Sequence, residues 1–441
     1  MKRPLLICVA FLMVTWVYAQ GNFKFSKKSS KTVLDFRLIN NLILLPVELN
    51  GVRLNFLLDT GVEETILFSV DDTPEITLEN IEKVKLRGLG KEEHVEGLKS
   101  RGNRLVFEDM FDNNHMLYIV LDQSFNFSSH IGVPVNGIIG YQFFRNNLIE
   151  IDYDRKRIVI YHDPEKARRK YRRKMAVQPI SIELKKPYLG TSVRQEAEPY
   201  AAKLLIDTGS SDAVWLFSEV SDKVTIPGTY FDDFLGRGFS GEIFGKRGRI
   251  RDFGFSGFSF KDPIAAFPDM TSIRHVNMVS GRLGSVGGEI LKRFTVVFDY
   301  PNKQIFLKKG NEFHAPFHYN MSGLEIEHDG LQWVKETVEL NTNMKGLEFD
   351  GNFNRRPADF HYKFELRPVF AVTSVREGSP AFEAGIRKGD ILVSMNGKSA
   401  YRYSLQNITD LLRSEPDREI VLRLERNGNP VNANFRLRRM L

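Results

Sequence analysis

The run Leu57-Leu58-Asp59-Thr60-Gly61 and its echo Leu205-Ile206-Asp207-Thr208-Gly209 decide the fold. Each is an apolar strand ending in an Asp-Thr-Gly turn. A second apolar stretch follows each turn, Ile66-Leu67-Phe68 in one case and Val214-Trp215-Leu216-Phe217 in the other. One such triplet is a common turn. Two in matching surroundings, 148 residues apart, are a repeat, and the register continues downstream. Gly137-Ile138-Ile139-Gly140, Ile149-Glu150-Ile151-Asp152-Tyr153 and Arg157-Ile158-Val159-Ile160 are answered 147 residues later by Gly284-Ser285-Val286-Gly287, Val296-Val297-Phe298-Asp299-Tyr300 and Gln304-Ile305-Phe306-Leu307. The expectation is two similar lobes, each supplying one carboxylate.

The length of 441 residues allows two or three domains. A hydrophobic content of 42% and a charged content of 27% are those of a globular protein, and 34 glycines with 34 phenylalanines suit turn-rich β structure. The net charge of +7 is modest for this size and calls for no nucleic-acid partner. Lys2 and Arg3, the apolar run Leu5 to Val17, and Val17-Tyr18-Ala19 before Gln20 read as a signal peptide over residues 1–19. That predicts a periplasmic or secreted protein. An uncleaved anchor is the competing reading, opposed by the shortness of the run. No other run is long enough to span a bilayer. The single cysteine, Cys8, falls inside this segment, so the mature chain has no disulfide, no zinc–thiolate site and no cysteine nucleophile.

Residues 20–32, polar and basic, read as a short mobile lead. From Val33 the chain alternates like strands, and Asn50-Gly51 between apolar runs predicts a hairpin leading into Asp59. Glycines from Gly88 to Gly102 mark a long exposed hairpin, with a counterpart at Gly236 to Gly245. Lys166 to Lys174 holds seven basic residues in nine and reads as a solvated helical linker rather than a nucleic-acid site. The nine histidines show no metal-ligand spacing, and neither a metal nor a cofactor is expected.

Peptide hydrolysis needs an activated water and a protonated carbonyl oxygen. Two carboxylates sharing one proton supply both, because like charges at close range cannot both ionise. In each triplet the Asp is the acid–base group, Thr60 or Thr208 can bond across to the opposite loop, and Gly61 or Gly209 lets the backbones approach. Asp59 and Asp207 are therefore the candidate catalytic pair, with the two glycine-rich hairpins as candidate flaps. Asp152 and Asp299 also repeat, but they precede turns and are assigned structural roles.

These residues carry a resemblance. Asp207-Thr208-Gly209-Ser210-Ser211 with Val214-Trp215, the Gly137-Ile138-Ile139-Gly140 run, and Gly284 to Leu291 with Phe294, Val297, Phe298 and Asp299 resemble the active-site and closing motifs of pepsin- and retropepsin-like aspartic proteases over residues 33 to 310. The resemblance implies a mostly β fold with two duplicated β-barrel lobes and a peptide or unfolded-protein substrate. Val62-Glu63-Glu64 departs from it: the family has a hydroxyl or a small residue at position 62, which normally bonds the carboxylate. The first hairpin also lacks the aromatic of pepsin-like flaps.

Downstream, Gly378-Ser379-Pro380-Ala381, Ala384-Gly385-Ile386 and Gly389-Asp390-Ile391-Leu392 resemble a bacterial PDZ domain, a small α+β barrel that binds a peptide as an added strand. Met321-Ser322-Gly323-Leu324-Glu325-Ile326 is the candidate carboxylate loop, so Ser322, Gly323, Leu324, Ile326 and Leu405 would line a groove for a protein C-terminus. The chain's own end, Arg439-Met440-Leu441, is of the kind such grooves accept. The resulting plan is a signal peptide at 1–19, lobe 1 at 33–165, a basic linker at 166–177, lobe 2 at 178–311 and a PDZ domain at 313–441 with an insert near 327–365. It resembles secreted bacterial aspartyl proteases with a C-terminal PDZ domain, and implies an aspartic endopeptidase. The alternative is a catalytically weak or inactive scaffold that holds peptides; Val62 and the missing aromatic speak for it, the two intact triplets against it.

Overall fold

The computed structural model describes residues 22–26, 29–68, 75–86, 95–121, 127–196, 198–238, 241–273, 278–338 and 361–441. The signal segment with Cys8, both hairpin tips and the middle of the PDZ insert lie outside the described residues. Among those described, no helix is long and apolar enough to cross a membrane.

The fold is mostly β, with two halves built alike. In the first, strand Val52–Leu58 runs into Asp59 and pairs in parallel with Gly137–Ile139 (Gly137 opposite Phe56, Ile139 opposite Leu58). In the second, Tyr200–Ile206 runs into Asp207 and pairs in parallel with Arg282–Val286 (Leu204 opposite Gly284, Ile206 opposite Val286). The other edge of each returning strand pairs antiparallel with the strand after the triplet, Thr65–Leu67 or Val214–Leu216. A strand is thus threaded through the loop that each triplet closes. That close packing needs glycine: a Cβ on Gly140 would lie 2.1 Å from the Val62 carbonyl oxygen, and one on Gly284 would lie 1.8 Å from that of Trp215.

A six-stranded sheet joins the halves, in the order Ala176–Pro179, Gln304–Lys309, Phe294–Asp299, Leu148–Asp152, Arg157–Tyr161, Lys31–Asp35. At its centre Glu150 faces Val297, its own equivalent 147 residues later, so a pseudo-two-fold axis passes through that pair. The described residues of the lead at 20–32 are more ordered than a mobile lead would be. Lys24–Phe25 pairs with Met110–Phe111, and Phe25 stacks on His162 at 3.6 Å between centroids. The basic linker is a helix, Pro164–Lys174, started by Asp163 as N-cap and Pro164. It is docked rather than simply solvated: Arg168 forms a bidentate pair with Asp299 (2.7 and 3.1 Å), and Tyr171 is buried. Asp299 and Asp152 thus have the structural roles expected of them; Asp152 accepts from the Arg155 backbone N–H and lies near the Arg155 and Arg157 guanidinium groups.

The C-terminal part is a six-stranded sheet in which Leu324–Val338 is an edge strand paired with His361–Val375. The described ends of the insert, residues 327–338 and 361–365, continue this hairpin. Helix Leu405–Leu412, closed by a Ser404–Asn407 capping box, and strands Glu419–Arg426 and Asn429–Arg436 complete the unit.

Candidate active site

Asp59 and Asp207 come together on one cavity of about 410 Å³. The turns that carry them are tied by crossed hydrogen bonds. The Thr60 hydroxyl donates to the Ile206 carbonyl (2.6 Å) and accepts from Thr208 N–H (3.0 Å). The Thr208 hydroxyl donates to the Leu58 carbonyl (2.8 Å) and accepts from Thr60 N–H (3.0 Å). Both threonines are buried. The glycines act as the sequence predicts: Gly61 N–H donates to Asp59 Oδ1 at 2.7 Å and Gly209 N–H to Asp207 Oδ1 at 3.1 Å. A Cβ on Gly209 would stand 2.3 Å from the Asp59 carboxyl, so only glycine leaves room for the opposite aspartate.

Burial first, and the neighbouring Asp207 charge second, push the Asp59 pKa up to about 8. Burial also raises Asp207, but the Arg282 charge and the Gly209 N–H pull against it. The environment therefore favours the shared proton on Asp59.

Three residues at this site carry no motif. Lys186 lines the cavity, and its charge acts on both aspartates. Arg282 lines the cavity from the returning strand of the second half. His130 lies on the short helix Ser128–Ile131, its ring stacked near Phe234 and its Nδ1 3.1 Å from Glu327 Oε1. Burial, then the Arg237 charge, lowers the His130 pKa to about 4, which keeps the ring neutral.

The departure at Val62-Glu63-Glu64 has a local explanation. Glu63 lies 3.5 Å from Lys186 Nζ and Glu64 pairs with Lys185, both lysines belonging to the opposite half. The acidic residues thus help close the seam between the halves. Ser210, at the position matching Val62, forms no hydrogen bond to Asp207 either; Asp207 Oδ1 takes its bond from Gly209 N–H.

The two hairpins differ. Tyr230–Gly238 and Gly241–Arg249 pair over the cavity, and Leu235, Arg237 and Ile243 line it. The described strands of the first hairpin, Glu82–Leu86 and Val95–Phe107, line none of it; on that side the wall is Phe127, His130 and Ile131.

The PDZ site residues are also brought together, but the loop is already satisfied. Met321 N–H donates to the Leu412 carbonyl, Ser322 and Gly323 N–H to Asn320 Oδ1 (3.1 and 3.2 Å), and Leu324 N–H to Ser322 Oγ (3.0 Å). Ser322, Leu324, Ile326 and Leu405 are buried. Helix Ser128–Ile131 of the first half lies along the Leu324–Val338 edge, and Gly132 abuts Leu405. The chain's own end sits elsewhere: the Met440 and Leu441 N–H groups donate to the Tyr319 hydroxyl, beside a separate cavity of about 640 Å³ that holds no aspartate pair.

An ionic ladder links these regions. Arg247 joins Asp212 (2.6 Å) to Asp233 (2.9 Å), and Arg376 of the C-terminal unit joins Asp233 (3.2 Å) to the Asn320 carbonyl (3.0 Å).

Residues 371–426 match the family model of the PDZ domain. A C-terminal processing peptidase, chloroplastic, of Tetradesmus obliquus is 38% identical over 56 residues; the match spans 13% of this chain and 12% of that protein. Among solved structures, the chain is similar to the aspartic proteinase of Irpex lacteus at 13% identity and a TM-score of 0.43, over 65% of this chain and 99% of that one. Residues 371–426 of this mostly β chain are therefore a PDZ domain.

Proposed function

We propose that the chain is an aspartic endopeptidase. The observation that carries this is the Asp59–Asp207 pair, locked by crossed threonine bonds and facing one cavity in an environment that favours a single shared proton. In this reading ionised Asp207 takes a proton from the attacking water while protonated Asp59 donates to the scissile carbonyl oxygen. The hairpin Tyr230–Arg249 covers an extended peptide or unfolded segment and excludes water. The PDZ domain recruits substrate or regulates the cleft against which it packs. The signal-like N-terminus supports a site of action in the periplasm or outside the cell.

The test is digestion of a diverse peptide mixture between pH 3 and 9 by the chain without residues 1–19, with products read by mass spectrometry. The Asp59→Asn and Asp207→Asn variants are each expected to lose at least about a hundredfold in kcat/KM, the low end of general acid–base contributions. Retained peptides without cleavage at any pH would overturn this reading in favour of a scaffold.

A further inference from the structure

Arg282 is the residue in the cavity that the duplication does not explain. Its counterpart 147 residues earlier is Val135, a fully buried member of an apolar cluster. Arg282 is only 7% exposed, yet it lines the cavity of the two aspartates. Its Nε donates to the Gly284 carbonyl (3.1 Å), and the guanidinium lies 5.3 Å from the centre of the Phe217 ring. Tyr188 stands beside it. Among the described residues no carboxylate lies within ion-pair distance of Arg282; its charge acts on Asp207 from further off, and its side chain interacts with that of Tyr188. A buried cation whose nearest compensating charge is a dyad aspartate beyond ion-pair distance favours a second anion in the cavity.

The rest of the wall has the same sign. Lys186 and Arg237 line the cavity, each with a carboxylate partner outside its lining, Glu63 (3.5 Å) and Glu242 (3.4 Å), while Asp212, the wall's other carboxylate, is taken by Trp215 Nε1 (2.7 Å) and Arg247. Apart from the dyad, no unpaired carboxylate lines the cavity among the described residues.

We infer that Arg282, backed by Phe217, is an acid-selecting subsite that takes a carboxylate of the bound peptide through the guanidinium edge that lines the cavity. The fork geometry of arginine suits a bidentate carboxylate contact better than a lysine would. This rests on the proteolytic reading and narrows it to peptides carrying Glu or Asp beside the scissile bond. The shared chemistry is a carboxylate, which a side chain or a peptide's free C-terminus can supply.

The experiment uses peptide series built on a cut site, with Glu or Gln at each position in turn and with free or amidated ends, on the wild type, Arg282→Met and Arg282→Lys. The wild type is expected to prefer Glu over Gln at one position by about tenfold or more in kcat/KM, with Arg282→Met bringing the ratio close to one and Arg282→Lys keeping part of it. Sensitivity to end amidation instead of to Glu would assign the terminal carboxylate. An unchanged ratio in Arg282→Met would overturn the subsite. So would an equal loss on both peptides with a shifted pH profile, which would leave Arg282 as a positioning residue acting through Asp207. If the wild type cleaves nothing, the proteolytic reading has failed, and the subsite is judged from the Kd ratio of the Glu and Gln peptides on the same three proteins. Thermal melting of each variant separates a lost subsite from a lost fold.

Discussion

The two Asp-Thr-Gly loops continue differently, Val62-Glu63-Glu64 in the first half and Ser210-Ser211-Asp212 in the second, yet their backbones do the same things. Asp59 N–H donates to the Ile139 carbonyl and Asp207 N–H to that of Val286, both at 2.9 Å. Tyr141 N–H reaches the Val62 carbonyl at 3.1 Å, and Gly288 N–H reaches that of Ser210 at 2.7 Å. Side chains diverged while the backbone bonding stayed paired. The surroundings then break the symmetry: Arg282 acts on Asp207, and Asp59 has no equivalent cation at Val135. Two near-identical loops can hence give two unlike carboxyls, because proton affinity depends on neighbours several ångströms away rather than on the loop.

The largest test of that asymmetry is the dependence of stability on pH. An ordinary aspartate titrates near 3.8, whereas folded Asp59 is held at about 8. Between those values the folded state binds a proton that the unfolded state has released, so stability falls as pH rises through the window. The slope is at most about 1.4 kcal/mol per pH unit for one proton. Melting curves of the wild type should show that decline and Asp59→Asn should flatten it; a wild-type curve rising from pH 4 to 8 would place the proton elsewhere.

Next in size are the crossed threonines, where the halves should behave alike. Thr60→Val strips a partner from the Thr208 N–H and the Ile206 carbonyl, and Thr208→Val does the same to Thr60 and Leu58. Each change should cost roughly 3 kcal/mol in urea unfolding. The double variant should lose less than the sum, because both belong to one network. Losses differing by more than about 1 kcal/mol would show that the symmetry is only apparent.

Breaking the seam should matter less. Glu64→Gln weakens the contact with the partly exposed Lys185 and should cost under about 1 kcal/mol, measurable as a small fall in the urea midpoint that salt diminishes. The smallest effect is expected from Val62→Ser. Since the Ser210 hydroxyl does not bond Asp207, adding a hydroxyl at the matching place should change kcat/KM less than about twofold, under 0.5 kcal/mol.

Much of this was legible in the residues. The repeated triplets, the glycine runs and the apolar strands between them all mark local backbone, and local backbone follows the pattern of glycines and apolar residues. Lys186, His130 and Arg282 were not legible in that way, because their roles arise from packing between distant segments. Arg282 did leave one signal: a charge where the otherwise duplicated pattern has Val135. The lead at 20–32 misled because its few apolar residues, Phe23 and Phe25, are enough to pin it to the core. The candidate carboxylate loop, Met321 to Ile326, leads into the edge strand Leu324–Val338, but its composition could not show that Asn320 and Leu412 already accept its N–H groups.

The sheet at the pseudo-two-fold axis also sets an order of events during synthesis. Strand Leu148–Asp152 can pair with Arg157–Tyr161 at once, but its other neighbour, Phe294–Asp299, is made more than a hundred residues later. At a ribosomal rate of about 5–20 residues per second, that edge waits roughly 7 to 30 seconds for its partner. Throughout that interval a strand reading Leu-Ile-Glu-Ile-Asp offers unpaired backbone groups to any other extended chain. Glu150 and Asp152 are then the charges that discourage the wrong pairing, a service needed only before the molecule is complete.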